Sequence, residues 1–307
     1  MRSQARILPM GTLLVAAVLA VHAVGAAAQP EKDKMRTERE NFTVAGCKAF
    51  VIPPPAAPGK GPTPWVWYAP TLGRRHPGRE EKWMFERFAR AGIAIAGIDV
   101  GESFGSPKGR AAYQALYEEL TGQRGFGAKP VLLARSRGGL MLYNWAVEHP
   151  RCVGGVAGIY PVCNLASYPG VKRAAGAYEL TDQQLQAKLA EHNPIDRLAP
   201  LANAKVPILH IHGDKDGTVP LEANSAELAR RYKALGGPVE IEVIKGQGHN
   251  LWSGWFQSQK LTDFAIARAL GRPVAVSKPR PGRAPPGSPT PRQRRWVRPS
   301  GSSSSIP

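Results

Sequence analysis

Cysteine is scarce in this chain of 307 residues, which contains three: Cys47, Cys152 and Cys163. An odd count leaves at least one thiol outside any intrachain pair, so disulfides do not organise the fold. Cys152 and Cys163 flank one apolar run and should sit near opposite ends of a strand, which works against their pairing. None of the three closely follows the apolar run at the N-terminus, so a lipid anchor at a processed N-terminus is not expected. Acidic residues are also few, 23 against 41 Lys and Arg, for a net charge of +18.

The basic excess is unevenly distributed. Arg272, Lys278, Arg280, Arg283, Arg292, Arg294, Arg295 and Arg298 fall in a final stretch without acids, Arg2 and Arg6 stand at the start, and the remaining body keeps a net of +8. A basic body attracts anionic partners at long range. The densest cluster, however, lies on Gly271 to Pro307, which is rich in Pro, Arg and Ser and lacks apolar periodicity. Such a segment cannot bury enough surface to offset its ordering entropy. Residues 271–307 are therefore expected to form a disordered basic tail that contacts anionic polymers nonspecifically, and no specific nucleic-acid recognition is implied.

Residues 1–28 combine Arg2 and Arg6, an apolar run from Ile7 to Val24, and the small residues Ala26-Ala27-Ala28. This is the layout of a secretory signal peptide. An uncleaved membrane anchor is the alternative, since the run is about long enough to span a bilayer. The signal reading predicts a secreted or periplasmic protein with no stable membrane insertion after cleavage.

Between Gln29 and Leu270 short apolar runs alternate with amphipathic stretches, the pattern of an α/β fold with a mostly parallel sheet and helices on both faces. Residues 29–270 are expected to form one α/β domain, and internal repeats are not apparent. Trp65 to Ala69, Ile93 to Val100, Val131 to Arg135, Cys152 to Tyr160, Val206 to His212 and Val239 to Ile244 read as strands, with one or two more in Phe42 to Ile52. Most lack strict alternation, as strands buried on both faces do. Glu80 to Ala91, Gly109 to Gly122, Leu140 to Glu148, Leu221 to Leu235 and Gln257 to Leu270 read as helices. Residues 161–204 break the rhythm as an insertion expected to cap the strand ends, with a helix over Thr181 to Glu191.

The strongest local signal is Val131-Leu132-Leu133-Ala134-Arg135-Ser136-Arg137-Gly138-Gly139-Leu140. A strand, a Ser with small residues two positions away on each side, and a helical pattern make a nucleophile elbow with Ala134 in place of the first Gly. The small neighbours matter because the strand-to-helix turn is sharp. It lifts the hydroxyl above the sheet and aims a helix N-terminus at it. A base is supplied by His249 in Gly246-Gln247-Gly248-His249, directly after the last strand, whereas His210 and His212 lie inside a strand. After the penultimate strand, Asp214 and Asp216 compete for the third role. Asp216 can point over the sheet to hold the imidazole tautomer, and Asp214 suits an Asx closure of its own turn. His210, His212, Asp214 and Asp216 could also be taken for metal ligands, but the histidines would have to leave a buried strand face, so neither a metal nor a cofactor is expected. The chain order Ser, Asp, His is that of the α/β-hydrolase fold.

With these motifs, Trp65 to Leu270 resembles a secreted bacterial α/β hydrolase of the prolyl oligopeptidase and dienelactone hydrolase-like group. The resemblance rests on His212-Gly213-Asp214-Lys215-Asp216 with Val219-Pro220, and on the Gly246-Gln247-Gly248-His249 loop. The stretches Gly97 to Ser103, Ser136 to Gly139 and Tyr160 to Asn164 are similar to a subgroup of secreted bacterial hydrolases. It implies an oxyanion hole built from the Arg137 N–H and a second donor after an early strand. Pro70 has no N–H, which leaves Thr71 or Leu72. Arg137 also resembles the Arg after the nucleophile in glucuronoyl esterases. Against that, Arg135 and Arg137 could simply pair with acids such as Glu148 or Asp99. Glu102, Phe104, Trp252 and Trp255, with Arg135, are candidate substrate-binding residues, since aromatic faces near a triad can stack a sugar or aryl ring. The expected function is a serine esterase with a small-molecule or polysaccharide-linked, acidic ester as partner. An exopeptidase is the competing enzyme, although the body is short for the propeller domain of prolyl oligopeptidases. A noncatalytic binding protein on the same scaffold is the third reading.

Overall fold

The computed structural model describes residues 38–55, 61–73 and 76–272. The expected signal at 1–28 and all but the first two residues of the expected tail lie outside the described residues. Eight strands, β1 (Glu40–Val44), β2 (Cys47–Ile52), β3 (Trp65–Ala69), β4 (Ala94–Asp99), β5 (Val131–Arg135), β6 (Gly155–Ile159), β7 (Ile208–Gly213) and β8 (Val239–Ile244), form one sheet in the order β1-β2-β4-β3-β5-β6-β7-β8. The pairs β1–β2 and β2–β4 are antiparallel and the rest are parallel. Strands β3, β5, β6 and β7 are buried along their whole length, which is why their sequences are almost unbroken apolar runs. At the edges β1 and β8 keep partial exposure, and Glu240 and Glu242 occupy alternate positions of β8.

The helices are α1 (Lys82–Arg90), α2 (Pro107–Glu118), α3 (Gly138–Glu148), α4 (Val171–Ala174), α5 (Asp182–Ala187), α6 (Leu189–His192), α7 (Ala199–Asn203), α8 (Glu227–Ala234), α9 (Ser253–Phe256) and α10 (Gln259–Ala269). Their side chains divide between the two faces of the sheet. Tyr113 and Leu116 of α2, Met141 and Trp145 of α3 and Tyr232 of α8 join one core, and Phe85 and Phe88 of α1 and Phe264 of α10 join the other. Neighbouring residues of β3 show the alternation: Trp67 lies 4.7 Å from Trp145, and Tyr68 lies 5.6 Å from Phe85 on the opposite side.

Three helices differ from the sequence expectation, the one expected over Thr181 to Glu191 being two short helices, α5 and α6, that break at Lys188. After α2 the chain runs on as a π turn over Glu119–Gln123, and α8 is preceded by another over Glu222–Ala226. In the second, Asn224 and Ser225 are fully buried because the wider turn directs two polar side chains inward. Asn224 Oδ1 accepts from the Cys163 and Asn164 N–H groups at 3.0 and 3.1 Å, tying the start of the insertion to the far side of β7. Helices α4 to α7 lie within residues 161–204, where Leu165, Ala174, Tyr178 and Leu185 pack with Phe104, Leu140 and Val219, residues that follow β4, β5 and β7. Cys47, Cys152 and Cys163 are free thiols, and burial pushes the Cys163 thiol well above its ordinary value.

Close approach at the start of α3 is among the tightest constraints in the fold. A Cβ on Gly138 would lie 2.1 Å from the Ala69 carbonyl oxygen, and one on Gly139 would lie 2.3 Å from the Val162 carbonyl oxygen. Backbone cannot move aside as a flexible side chain can, so Gly138→Ala should destabilise the protein by at least about 2 kcal/mol, within the range for overpacked interiors. The urea midpoint measures this, and an unchanged midpoint would show that α3 can retreat from β3.

Candidate active site

Ser136 is the first of the two residues between β5 and α3, with φ of 49°. A non-glycine residue in this region costs about 1–3 kcal/mol and persists only where its surroundings over-determine it. They do so here. The Ser136 N–H donates to the Ile159 carbonyl at 3.0 Å, and its carbonyl accepts from the N–H groups of Gly139 and Val162 at 2.9 and 2.8 Å. Strand β6, the residue after Pro161 and the first turn of α3 thus hold the turn from three directions.

Ser136 Oγ lies 2.8 Å from His249 Nε2, and His249 Nδ1 lies 2.7 Å from Asp216 Oδ2. Asp216 Oδ1 accepts from the Thr218 and Val219 N–H groups at 3.0 and 2.8 Å. Burial of Asp216 works to raise its carboxyl pKa, but hydrogen bonds from His212, His249 and the Val219 N–H outweigh it and hold the group well below the ordinary carboxylate range. An anionic Asp216 fixes His249 with Nδ1 protonated and Nε2 free to accept the Ser136 proton.

The two aspartates divide their work differently from the sequence expectation. Asp216, besides touching His249, makes the Asx-type closure of its own turn. Asp214 instead accepts from the Gly246 N–H at 2.6 Å and so ties the turn after β7 to the loop that carries His249. The physical reason is the parallel β7–β8 pairing, which runs to Gly213 and Ile244 and brings both loop bases together.

Of the two candidates for the second oxyanion donor, Leu72 uses its N–H on the His76 carbonyl at 3.3 Å. That leaves Thr71, whose buried hydroxyl has no partner among the described residues. The Arg137 N–H, at the head of α3, makes no hydrogen bond within the described chain.

A cavity of about 200 Å³ opens at Ser136, lined by Pro70, His76, Arg135, Arg137, Tyr160, His249, Asn250 and Leu251. Residues 161–204 contribute nothing to this lining. Both arginines reach it, and each is paired, though not with the acids expected. Arg135 is buried, bonded to Glu81 and to His76 Nδ1 at 3.3 Å, with its guanidinium 4.8 Å above the Phe256 ring. Glu81 in turn accepts from the Tyr68 hydroxyl at 2.7 Å and the Gly78 N–H at 2.8 Å. Burial lowers the His76 pKa, with Arg135 adding to the effect, so the ring is neutral and can accept from the guanidinium. Arg137 pairs with Glu102 in a half-exposed bridge. Glu148, at the far end of α3, is taken by Arg110 and Arg197 at 3.0 Å each, and Asp99 accepts from the Gly73 and Gly101 N–H groups at 2.6 and 3.0 Å.

Two proposed substrate contacts are buried instead. Phe104 belongs to the small core under the insertion, and Trp255 is fully enclosed, its Nε1–H donating to Asn250 Oδ1 at 2.9 Å. Trp252 remains 42% exposed, edge-on to Trp255 at 5.4 Å. Sequence reasoning missed Tyr160, whose ring lies 4.4 Å from that of His249 and whose hydroxyl donates to the Asn250 carbonyl at 3.2 Å. Its place at the end of the strand beside β5, before Pro161, was the available signal. His76, on the loop after β3, gave none.

The model of the prolyl oligopeptidase family matches residues 129–266, a stretch of less than half of the chain that holds Ser136, Asp216 and His249. Among solved structures, a puromycin-hydrolyzing peptidase of Mycobacterium tuberculosis aligns over 80% of this chain and 41% of its own, with a TM-score of 0.63 and 16% identity. Est1E from Butyrivibrio proteoclasticus aligns over 76% of this chain and 99% of its own (TM-score 0.56, 17% identity). The chain is an α/β hydrolase by fold. An S-formylglutathione hydrolase from Agrobacterium tumefaciens is similar over 76% of this chain and 93% of its own, with a TM-score of 0.56 and 16% identity. This α/β hydrolase spans about two fifths of the length of the puromycin-hydrolysing relatives, 41–42% of their chains. No curated protein matches its sequence.

Asp216→Asn should lower kcat by several orders of magnitude, because an amide favours the wrong His249 tautomer, a substitution that costs about 10⁴-fold in a Ser-His-Asp enzyme. Asp214→Asn should chiefly lower the melting temperature, and steady-state kinetics with a thermal melt on both variants separate the roles. Stability should also fall in acid. Burial, and then His212, hold His210 down at about 3 from 6.5, so in that window the unfolded chain takes up a proton that the folded chain refuses. Denaturant titrations across that range should show stability rising with pH, and a flat profile would place a compensating charge beside His210.

Proposed function

We propose that the protein is an exported serine hydrolase that cleaves small carboxylic esters through an acyl-enzyme. The observation that carries the reading is the continuous relay from Ser136 Oγ through His249 to Asp216, at 2.8 and 2.7 Å, on a strained elbow that opens into a cleft. Ser136 attacks the ester carbonyl as His249 Nε2 takes its proton. The negative charge forming on the carbonyl oxygen is met by the Arg137 N–H at the head of α3 and by the Thr71 N–H. Collapse expels the alcohol, protonated by His249, and water then releases the acid by the same steps in reverse.

A cleft of about 200 Å³ is smaller than the roughly 300–1,000 Å³ of sites for drug-sized ligands, which favours a short acyl group. Arg135 and Arg137 in its lining, with half-exposed Trp252 nearby, support an oxygen-rich or acidic substrate such as a sugar-linked ester. Export rests on the N-terminal sequence, and the basic C-terminal stretch would add salt-sensitive adsorption to anionic polymers.

An exopeptidase is the second reading, supported by the family match and by the peptidases among the structural relatives. Against an aminopeptidase-type activity, no Asp or Glu lines the cleft among the described residues, so the ammonium of a free N-terminus has no carboxylate to bind. The two relatives aligned over nearly their whole length include one named for hydrolysis of S-formylglutathione, a small acyl donor. A noncatalytic binding role would leave the assembled triad without a use.

A fluorophosphonate probe should label the wild type and leave Ser136→Ala unlabelled. Short-chain and uronate esters should turn over faster than aminoacyl amides under matched conditions. Preferential cleavage of the amides would shift the assignment to peptidase, and no labelling of folded wild type would remove the hydrolase reading.

A further inference from the structure

Strand β7 buries two histidines, His210 and His212, that the reaction above does not use. Both are fully enclosed, and together with Ser225 and Tyr143 they form a polar chain that ends at the triad acid. His212 Nε2 lies 2.8 Å from the Val219 carbonyl oxygen and 3.5 Å from Asp216 Oδ2. A carbonyl oxygen has no proton to give, so this nitrogen must carry one. His212 Nδ1 faces Ser225 Oγ at 2.8 Å, Ser225 Oγ lies 3.0 Å from His210 Nδ1, and His210 Nε2 lies 2.7 Å from the Tyr143 hydroxyl.

For neutral imidazoles, one distribution of protons leaves no lone pair facing another. Tyr143 donates to His210 Nε2, His210 Nδ1–H to Ser225, the Ser225 hydroxyl to His212 Nδ1, and His212 Nε2–H to Val219 and Asp216. Every member is satisfied, which is the condition under which a buried polar network rigidifies its surroundings. Val219 is gripped at both ends of its backbone: its N–H donates to Asp216 Oδ1 and its carbonyl accepts from His212.

We propose that His212 is a positioning residue for Asp216, clamping the Asp216–Val219 turn so that Oδ1 faces its own backbone and Oδ2 faces His249. The proposal rests on the serine-hydrolase reading for its kinetic consequence and on geometry alone for its structural one. The other ionisable groups facing the Asp216–His249 pair are Ser136 after β5 and Tyr160 at the end of β6, with Arg135 beside Tyr160. None of them can replace the contact at Val219.

The test compares His212→Leu, His212→Gln and Ser225→Ala with the wild type. Each is read by kcat and KM on a short p-nitrophenyl ester, by thermal melt, and by the low-field proton resonance of the His249–Asp216 hydrogen bond. In His212→Leu kcat should fall about tenfold or more at nearly constant KM, the rate equivalent of one lost hydrogen bond to a charged system, and the resonance should shift or broaden. Gln can place an N–H near the position of Nε2, so His212→Gln should recover most of both signals. Ser225→Ala should show a smaller loss in the same direction. A folded His212→Leu protein with wild-type kcat and resonance would overturn the proposal, as would His212→Gln being as defective as His212→Leu while melting like the wild type. If His212→Leu does not fold, Ser225→Ala decides, an unmoved resonance counting against. Should the wild type itself turn over no ester, the esterase reading fails, while the resonance still tests the clamp.

Discussion

A residue with a side chain is forced through φ of 49° at Ser136, and much of the structure can be understood as what it takes to hold it there. Strand β5 must end abruptly, α3 must begin within two residues, and the backbone of α3 must approach Ala69 so closely that Gly138 has no space for a Cβ. The hydrogen bond that Ser136 donates to β6 and the one it accepts from the residue after Pro161 close the remaining freedom. A turn costing about 1–3 kcal/mol is tolerable because the flanking strands are fully buried and stabilise the whole. In return the hydroxyl stands clear of the sheet with a helix N-terminus directed at it.

The other two triad members depend on a second constraint, the parallel pairing of β7 with β8. That pairing sets the loops after the two strands side by side, and Asp214 fastens them by its bond to Gly246. Asp216 and His249, 33 residues apart in sequence, are then within 2.7 Å. A loop bearing His249 without this fastening would have to lose more freedom at each turnover to reach Ser136.

Charge around the cleft is arranged in compensated pairs. Arg135 sits almost entirely out of water, and it can do so because Glu81 shares that environment and is itself bonded to Tyr68 and Gly78. Breaking one partner of such a pair strands a buried charge at a cost of about 3–5 kcal/mol. The pair therefore anchors α1 beneath the cleft as well as placing guanidinium donors at its wall. Arg137 and Glu102, half in water, are worth far less to stability and are freer to exchange partners.

The sheet, its buried strands, the elbow and the order of Ser136, Asp216 and His249 were legible in the sequence, because each is written in local chemistry. Apolar runs mark doubly covered strands, small residues mark a crowded turn, and a Gly-rich loop after the last strand marks the base. Where the local signal was ambiguous, the tertiary structure decided. Phe104 and Trp255 carry the same aromatic surface as a ligand platform, and only the packing of the insertion and of Tyr160 puts them inside. Arg135 and Arg137 could be assigned partners only once α1 and the loop after β4 had been brought to them from 54 and 35 residues away. His76 and the clamp on Asp216 were invisible for the same reason, and the strand-end position of Tyr160 could not by itself place its ring beside His249: such contacts depend on strand order and register, which long-range pairing fixes and no short window of residues contains.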